Sequence, residues 1–197
     1  MLKKEFLSIV KKYAKDNSKS DDIHGFSHTS RVNNLCLKLG KKLGANLFIL
    51  EIAALLHDIG RLNENDREVG ENHAELSADM ALSFLKSEKF QISEEDINNI
   101  VHCVRAHSFS NKTIPNTLEA QILSDADKLD ALGAIGLYRT IGFAVQTQRG
   151  LDKVIEHLET KILKLKDLLF LDISQKIAEK RQQIILDFYK KIKKEIY

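Results

Sequence analysis

Very little in this chain interrupts a helix. A single proline, Pro115, and nine glycines serve 197 residues. Proline and glycine are the strongest helix breakers, so their scarcity favours long helices. Cys36 and Cys103 are the two cysteines, far apart and each among apolar neighbours. They build neither a CxxC pair nor a disulfide framework, which reads as buried thiols in a reducing compartment. Neither sign of charge dominates. Thirty basic against 28 acidic residues give +2, without the strongly basic footprint of a nucleic-acid-binding domain. A polymeric nucleic acid is therefore not expected as a partner, although one local cluster of cations would suffice for a small anion. Long apolar runs are missing too, so no segment approaches membrane-spanning length. Lys3, Lys4 and Glu5 break what would have to be a signal peptide's apolar run. The expectation is a cytoplasmic protein with no membrane partner.

What is present is apolar periodicity of the helical kind. Leu2, Phe6, Ile9, Val10 and Tyr13 share one face, as do Val32, Leu35, Cys36 and Leu39 in a segment that stops near Gly40 and Gly44. A third run from about 45 to 57 ends at Gly60, where a left-handed glycine would close the helix. Residues 61–71 are polar and aperiodic and read as a loop, a candidate lid over the substrate. A fourth helix is predicted at about 72–88. Ser93, followed by Glu94, Glu95 and Asp96, resembles an N-terminal cap that opens another. Residues 108–116, with Pro115, read as a loop, and helices resume at about 117–131, 132–148, 151–166 and 173–196. No run alternates apolar and polar residues as a half-buried strand would. The fold class is all-α, as one domain over 1–197, with about 151–197 as a candidate C-terminal helical subdomain. On the last helix Ile177, Ile184, Phe188, Ile192 and Ile196 form a stripe that reads as core, or alternatively as the seam of a homodimer.

The chemistry lies in the histidines. Six of seven fall within the first 107 residues: His24, His28, His57, His73, His102 and His107. His157 stands apart in a charged amphipathic segment and reads as exposed. His57 and Asp58 directly follow the apolar run Ala53–Leu56, where burial without a partner would be costly. The negative end of a helix there favours a cation. Imidazole nitrogen beside carboxylate oxygen suits Mn, Fe, Co, Ni or Zn better than calcium. Upstream lies His24-Gly25-Phe26-Ser27-His28-Thr29-Ser30-Arg31. Downstream, Ala120, Leu123, Asp127 and Asp130 share a helical face, which turns a carboxylate the way its apolar neighbours point.

The ordered set His…His-Asp…Asp resembles the HD superfamily of metal-dependent phosphohydrolases. Residues 100–110, the run from Asp125 to Gly136, and Ile177–Arg181 with Phe188 are similar to the small bacterial HD-domain hydrolases that include nucleoside triphosphate pyrophosphohydrolases. The resemblance implies an HD-domain helical bundle with a C-terminal helical extension. It also implies His28, His57, Asp58 and Asp127 as metal ligands. His28, followed three residues later by Arg31, matches the family pattern better than His24, and Asp127 matches better than Asp125. In dinuclear relatives two further histidines bind a second ion, and His73 and His107 match those positions. The expectation is one divalent transition metal per chain rather than two, with manganese favoured, and with His73 and His107 facing the substrate.

Such an ion lowers the pKa of bound water towards neutrality and polarises phosphorus. Asp58 is the candidate both to ligate and to accept the water proton. Arg31 and Lys128, a helical turn or less from ligands, are the candidate cations for phosphate charge. Arg61 and Arg139 read more readily as surface charges. The expected activity is nucleoside triphosphate pyrophosphohydrolysis. A 5′-nucleotide phosphomonoesterase or a dinucleoside polyphosphate hydrolase is the alternative within enzymes, and a non-catalytic nucleotide-binding module is the alternative outside them.

Overall fold

The computed structural model describes residues 3–63, 73–87, 92–108 and 111–196. It is all-α: among the described residues there are nine α-helices and two short 3₁₀ helices, and the β-bridge between Lys19 and Gly25 is isolated. None of the described helices is long and apolar enough to cross a membrane. The chain divides into two compact units, Met1–Ser124 and Asp125–Tyr197.

The first unit is built around its most apolar helix. α3 (Leu47–Leu56) buries Ile49, Leu50, Ile52, Ala53, Ala54, Leu55 and Leu56. A helix apolar on nearly every side must be enclosed, and α1 (Lys3–Asp16), α2 (Phe26–Leu43), α4 (His73–Ser87) and α5 (Glu94–Ala106) all pack on it. Local sequence sets the ends of these helices. Asn46 caps α3, its side-chain oxygen accepting from the N–H groups of Phe48 and Ile49. Ser93 caps α5 by accepting from Asp96 N at 3.1 Å. Gly44 ends α2 in the left-handed region at φ 75° and donates its N–H to the Gly40 carbonyl, the conformation glycine tolerates best.

Gly60 departs from the expectation. It is not left-handed. It lies in the 3₁₀ helix Ile59–Asn63, so residues 61–63 continue turning instead of opening a loop. Its lack of a side chain serves close packing: a Cβ there would stand 2.8 Å from Ser77 N and 3.0 Å from the His73 carbonyl oxygen. Gly60 N donates to Ser77 Oγ at 2.9 Å. The rest of the predicted loop, 64–71, lies outside the described residues, as do positions 109–110 of the loop predicted over 108–116.

The second unit begins within α6 (Leu118–Asp130) and continues through α7 (Gly133–Gln146), α8 (Gly150–Thr160) and α9 (Asp172–Ile196). α7 packs on α8 and α9. The helix predicted over 151–166 stops at Thr160: Lys161 leaves the helical region (φ −126°, ψ −63°), and a 3₁₀ helix Ile162–Leu168 follows. Residues three apart eclipse in a 3₁₀ helix, and Ile162 and Leu165 are accordingly the pair buried there. On α9 the buried residues are Ser174, Ala178 and Ile185. The predicted stripe is thus only partly covered: Ile184 is 45% and Ile196 39% exposed, while Ile177, Phe188 and Ile192 are half-buried. His157 is half-buried rather than exposed.

Candidate metal centre

Four helix ends in the first unit deliver imidazoles to one place. The chain enters α2 through a turn in which Asp21 Oδ1 accepts the N–H groups of Ile23 (2.8 Å) and His24 (2.7 Å). Gly25 closes that turn because a Cβ would fall on the carbonyl oxygens of Lys19 and Asp21. His28 follows in the first turn of α2 and is fully buried.

His57 caps the C-terminus of α3 and His107 the C-terminus of α5, both in helical backbone conformation. Each turns its Nδ1 onto the carbonyl three residues back, His57 to Ala54 at 2.7 Å and His107 to Val104 at 2.5 Å. A carbonyl only accepts, so Nδ1 carries the proton in both rings and Nε2 of the neutral ring offers a lone pair. This is the arrangement that fixes a metal-ligating imidazole. His73 opens α4 and is 8% exposed.

Asp58 stands at the centre. Its Oδ2 lies 3.5 Å from His28 Nε2 and 3.7 Å from His57 Nε2. Its Oδ1 lies 3.7 Å from His73 Nε2 and 3.4 Å from His107 Nε2. Two groups thus share one carboxylate, His28–His57–Asp58 and Asp58–His73–His107, and either could hold a metal ion. The donor set fits a divalent transition metal. Asp58 Oδ1 and His107 Nε2 are buried without a hydrogen-bond partner, an arrangement that costs free energy unless something else satisfies it. His28 and His57 also bring their Nε2 atoms to 3.3 Å of each other.

Burial alone would push the Asp58 carboxyl up. The Arg61 guanidinium and His57 outweigh it, the nearby His107 and His28 add to their pull, and the group is held well below the usual carboxylate range. Arg61 is therefore not the surface charge its sequence context suggests. Its Nε donates to Asp58 Oδ2 at 2.5 Å, and its Nη2 lies 3.0 Å from His73 Nε2. The signal was in the spacing, because residues three apart meet when the chain keeps turning, as it does through Gly60.

Of the residues picked out in the sequence, His28, His57, Asp58, His73 and His107 come together in the first unit, and His24 joins neither group. Arg31 lies half-buried on α2. His102 accepts from Asn116 N at 3.1 Å. Asp127 and Lys128 belong to the second unit. Asp127 is half-buried on α6. Lys128 is buried, with Nζ 5.3 Å from the Phe170 ring centre. Burial pushes its pKa down against the pull of Asp125 and Asp127. Asp125 accepts the N–H groups of Phe170 (2.9 Å) and Leu171 (3.0 Å). Arg139 pairs with buried Asp130 at 2.9 Å.

Residues 25–132 match the HD domain family. The protein YpgQ of Bacillus subtilis is 32% identical over 181 residues, covering 88% of this chain and 84% of that one. A crystal structure of YpgQ in complex with ADP superposes with a TM-score of 0.78 at 28% identity, over 99% of this chain and 97% of that one. A protein named as a predicted HD superfamily hydrolase, from an uncultured Thermotogales bacterium, gives 0.66 at 28% identity over 98% and 92%.

Proposed function

The chain belongs to the HD domain family, and on that footing we propose that it is a divalent-metal-dependent phosphohydrolase acting on nucleotides, first of all a nucleoside triphosphate pyrophosphohydrolase. The observation that carries this reading is Asp58, buried and ionised, with both oxygens turned to imidazole nitrogens, two of whose rings are tied on their far sides to backbone carbonyls. The ligands in this reading are His28, His57 and Asp58, which the geometry supports, and Asp127, which rests on the sequence motif. One ion per chain, manganese favoured, is the loading proposed. When bound, such an ion polarises a phosphoryl oxygen and brings the pKa of water from 15.7 to about 7.

The chain's own residues do the rest. Asp58 stays ionised through the neutral range, and its unpartnered Oδ1 is the acceptor for the attacking water's proton. His73 and His107 border the same oxygen and would face the phosphate. Arg31 and Lys128 are the cations proposed to meet charge building on phosphorus. The nucleotide part draws support from YpgQ, whose crystal structure holds ADP. A reducing, cytoplasmic setting fits two buried free thiols, of which Cys103 is pushed up to about 12 by burial and is correspondingly inert.

A second reading has an observation of its own. The group Asp58–His73–His107 could hold a further ion, which favours the dinucleoside polyphosphate hydrolase. Elemental analysis of the purified protein, with a screen of nucleoside tri-, di- and monophosphates in added Mn²⁺ or Co²⁺, separates the readings. About one metal per chain and pyrophosphate released from a triphosphate is the expected result. Two tight metals, or orthophosphate released only from monophosphates, would favour the alternative enzymes. No metal and no turnover would leave a nucleotide-binding module.

A further inference from the structure

Arg61 occupies an unusual place for a cation. Its guanidinium reaches into a group of side chains suited to holding metal ions, and it uses the atoms a metal would use. Nη2 lies 3.0 Å from His73 Nε2. An arginine has only donors, so the imidazole must be accepting through its Nε2 lone pair. That is the same lone pair through which His73 would bind an ion as a member of the Asp58–His73–His107 group. Nε meanwhile donates to Asp58 Oδ2, the oxygen facing His28 and His57.

The contact is not an incidental surface pairing. The Arg61 side chain is 20% exposed against 3% for Asp58, and a guanidinium cannot shed its charge. Its position is set by the fold on both sides. Gly60 locks the 3₁₀ helix onto α4 through Ser77, with no room for a Cβ. That same helix, α4, begins at His73.

We propose that Arg61 is the resident cation of the Asp58–His73–His107 group, and that this group takes a divalent ion only when the guanidinium leaves it. One fact makes the exclusion mutual and confines it to this group. The single lone pair on His73 Nε2 serves either the Arg61 N–H or a metal, whereas Asp58 Oδ2 has a further lone pair to offer an ion on the His28–His57 side. The inference rests on the metal-binding reading above and deepens it: Arg61 is a positioning residue that sets the ion count, keeping the His28–His57–Asp58 side as the tight site. The feature on which mononuclear and dinuclear behaviour would turn is thus an arginine three residues beyond the aspartate, rather than the presence or absence of His73 and His107.

The test is a titration of metal-stripped protein with Mn²⁺, following unbound ion by its paramagnetic resonance signal. Three proteins are compared: wild type, Arg61→Met, and Arg61→Met combined with His73→Ala. Wild type is expected to take one tight equivalent. Arg61→Met should bind a second with a dissociation constant at least tenfold below any second binding in wild type, and His73→Ala should abolish that gain. Arg61→Gln, uncharged but still a donor, serves if the methionine variant does not melt cooperatively, and it should gain the second ion as well. Both uncharged variants staying at one equivalent would overturn the proposal, as would two equally tight ions on wild type. Failure of every protein to bind any ion would overturn the metal-binding reading itself, and this inference with it.

Discussion

Asp58 and Asp125 are both buried aspartates, one in each unit, and they are used in opposite ways. Asp125 spends its oxygens on the chain itself, accepting the N–H groups of Phe170 and Leu171. Asp130 nearby is matched by Arg139. In the first unit Asp58 keeps Oδ1 unpartnered beside an unpartnered His107 Nε2. A carboxylate whose lone pairs are taken by backbone holds a fold together. One that leaves an oxygen unpartnered among imidazoles, as Asp58 does beside its Arg61 contact, is open to a ligand from outside the chain. The comparison teaches that burial of an acid says little by itself, and that the identity of its partners carries the meaning.

The largest effect should come from the first unit. Replacing Asp58 by Asn, or His57 by Ala, is expected to lower nucleotide hydrolysis by at least about 10²-fold, with a cooperative melting transition retained. A steady-state assay and a melting curve check the two halves, and hydrolysis surviving either change would remove the catalytic assignment. The second unit should behave in reverse. Asp125→Ala leaves two N–H groups without their acceptor and should cost about 2–3 kcal/mol in denaturant unfolding. Asp125→Asn, which retains one acceptor oxygen, should cost less. Equal losses for the two would mean that the backbone clamp is not what Asp125 contributes.

Gly60→Ala sharpens the contrast, because it disturbs a position that carries no chemistry. The added methyl collides with Ser77 N and the His73 carbonyl, and overpacking of this kind costs about 1–3 kcal/mol. It should also loosen ion binding, read as a weaker Mn²⁺ dissociation constant. The smallest effect concerns His102, half-buried and accepting from Asn116 N. Burial, and secondarily Arg105, lowers its pKa from 6.5. The folded protein therefore binds that proton less readily than the unfolded chain. Stability from this group is present above 6.5 and is lost as pH falls from there through the folded value. His102→Gln should flatten that part of a stability-versus-pH curve.

Much of this was legible in the sequence. The helices through α7 follow from apolar spacing, and α3 announced its burial by having hardly any polar face. The pairing of His57 with Asp58 was readable from residue types, and the approach of His28 followed from the resemblance to the HD superfamily. Arg61 was not, because its place depends on a 3₁₀ turn, and Gly60 reads as a helix terminator when its role is close contact with α4. The end of α8 at Thr160 was hidden because Ile162 and Leu165 satisfy an α-helical spacing nearly as well as a 3₁₀ one. The two-sided use of aspartate was also out of reach. Asp125 and Asp127 are two residues apart in one helix, and the partners that define Asp125 arrive 45 and 46 residues later.

The tethers on His57 and His107 have a consequence for how the site comes into being. Each ring is steered by a carbonyl of its own helix, three residues back, so its orientation needs no distant neighbour and no ion. As soon as the last turns of α3 and α5 wind, the two lone pairs are already aimed. Loading can then proceed as capture by a prepared socket, with little entropy left to remove on binding, and an empty protein and a filled one should differ in occupancy far more than in shape.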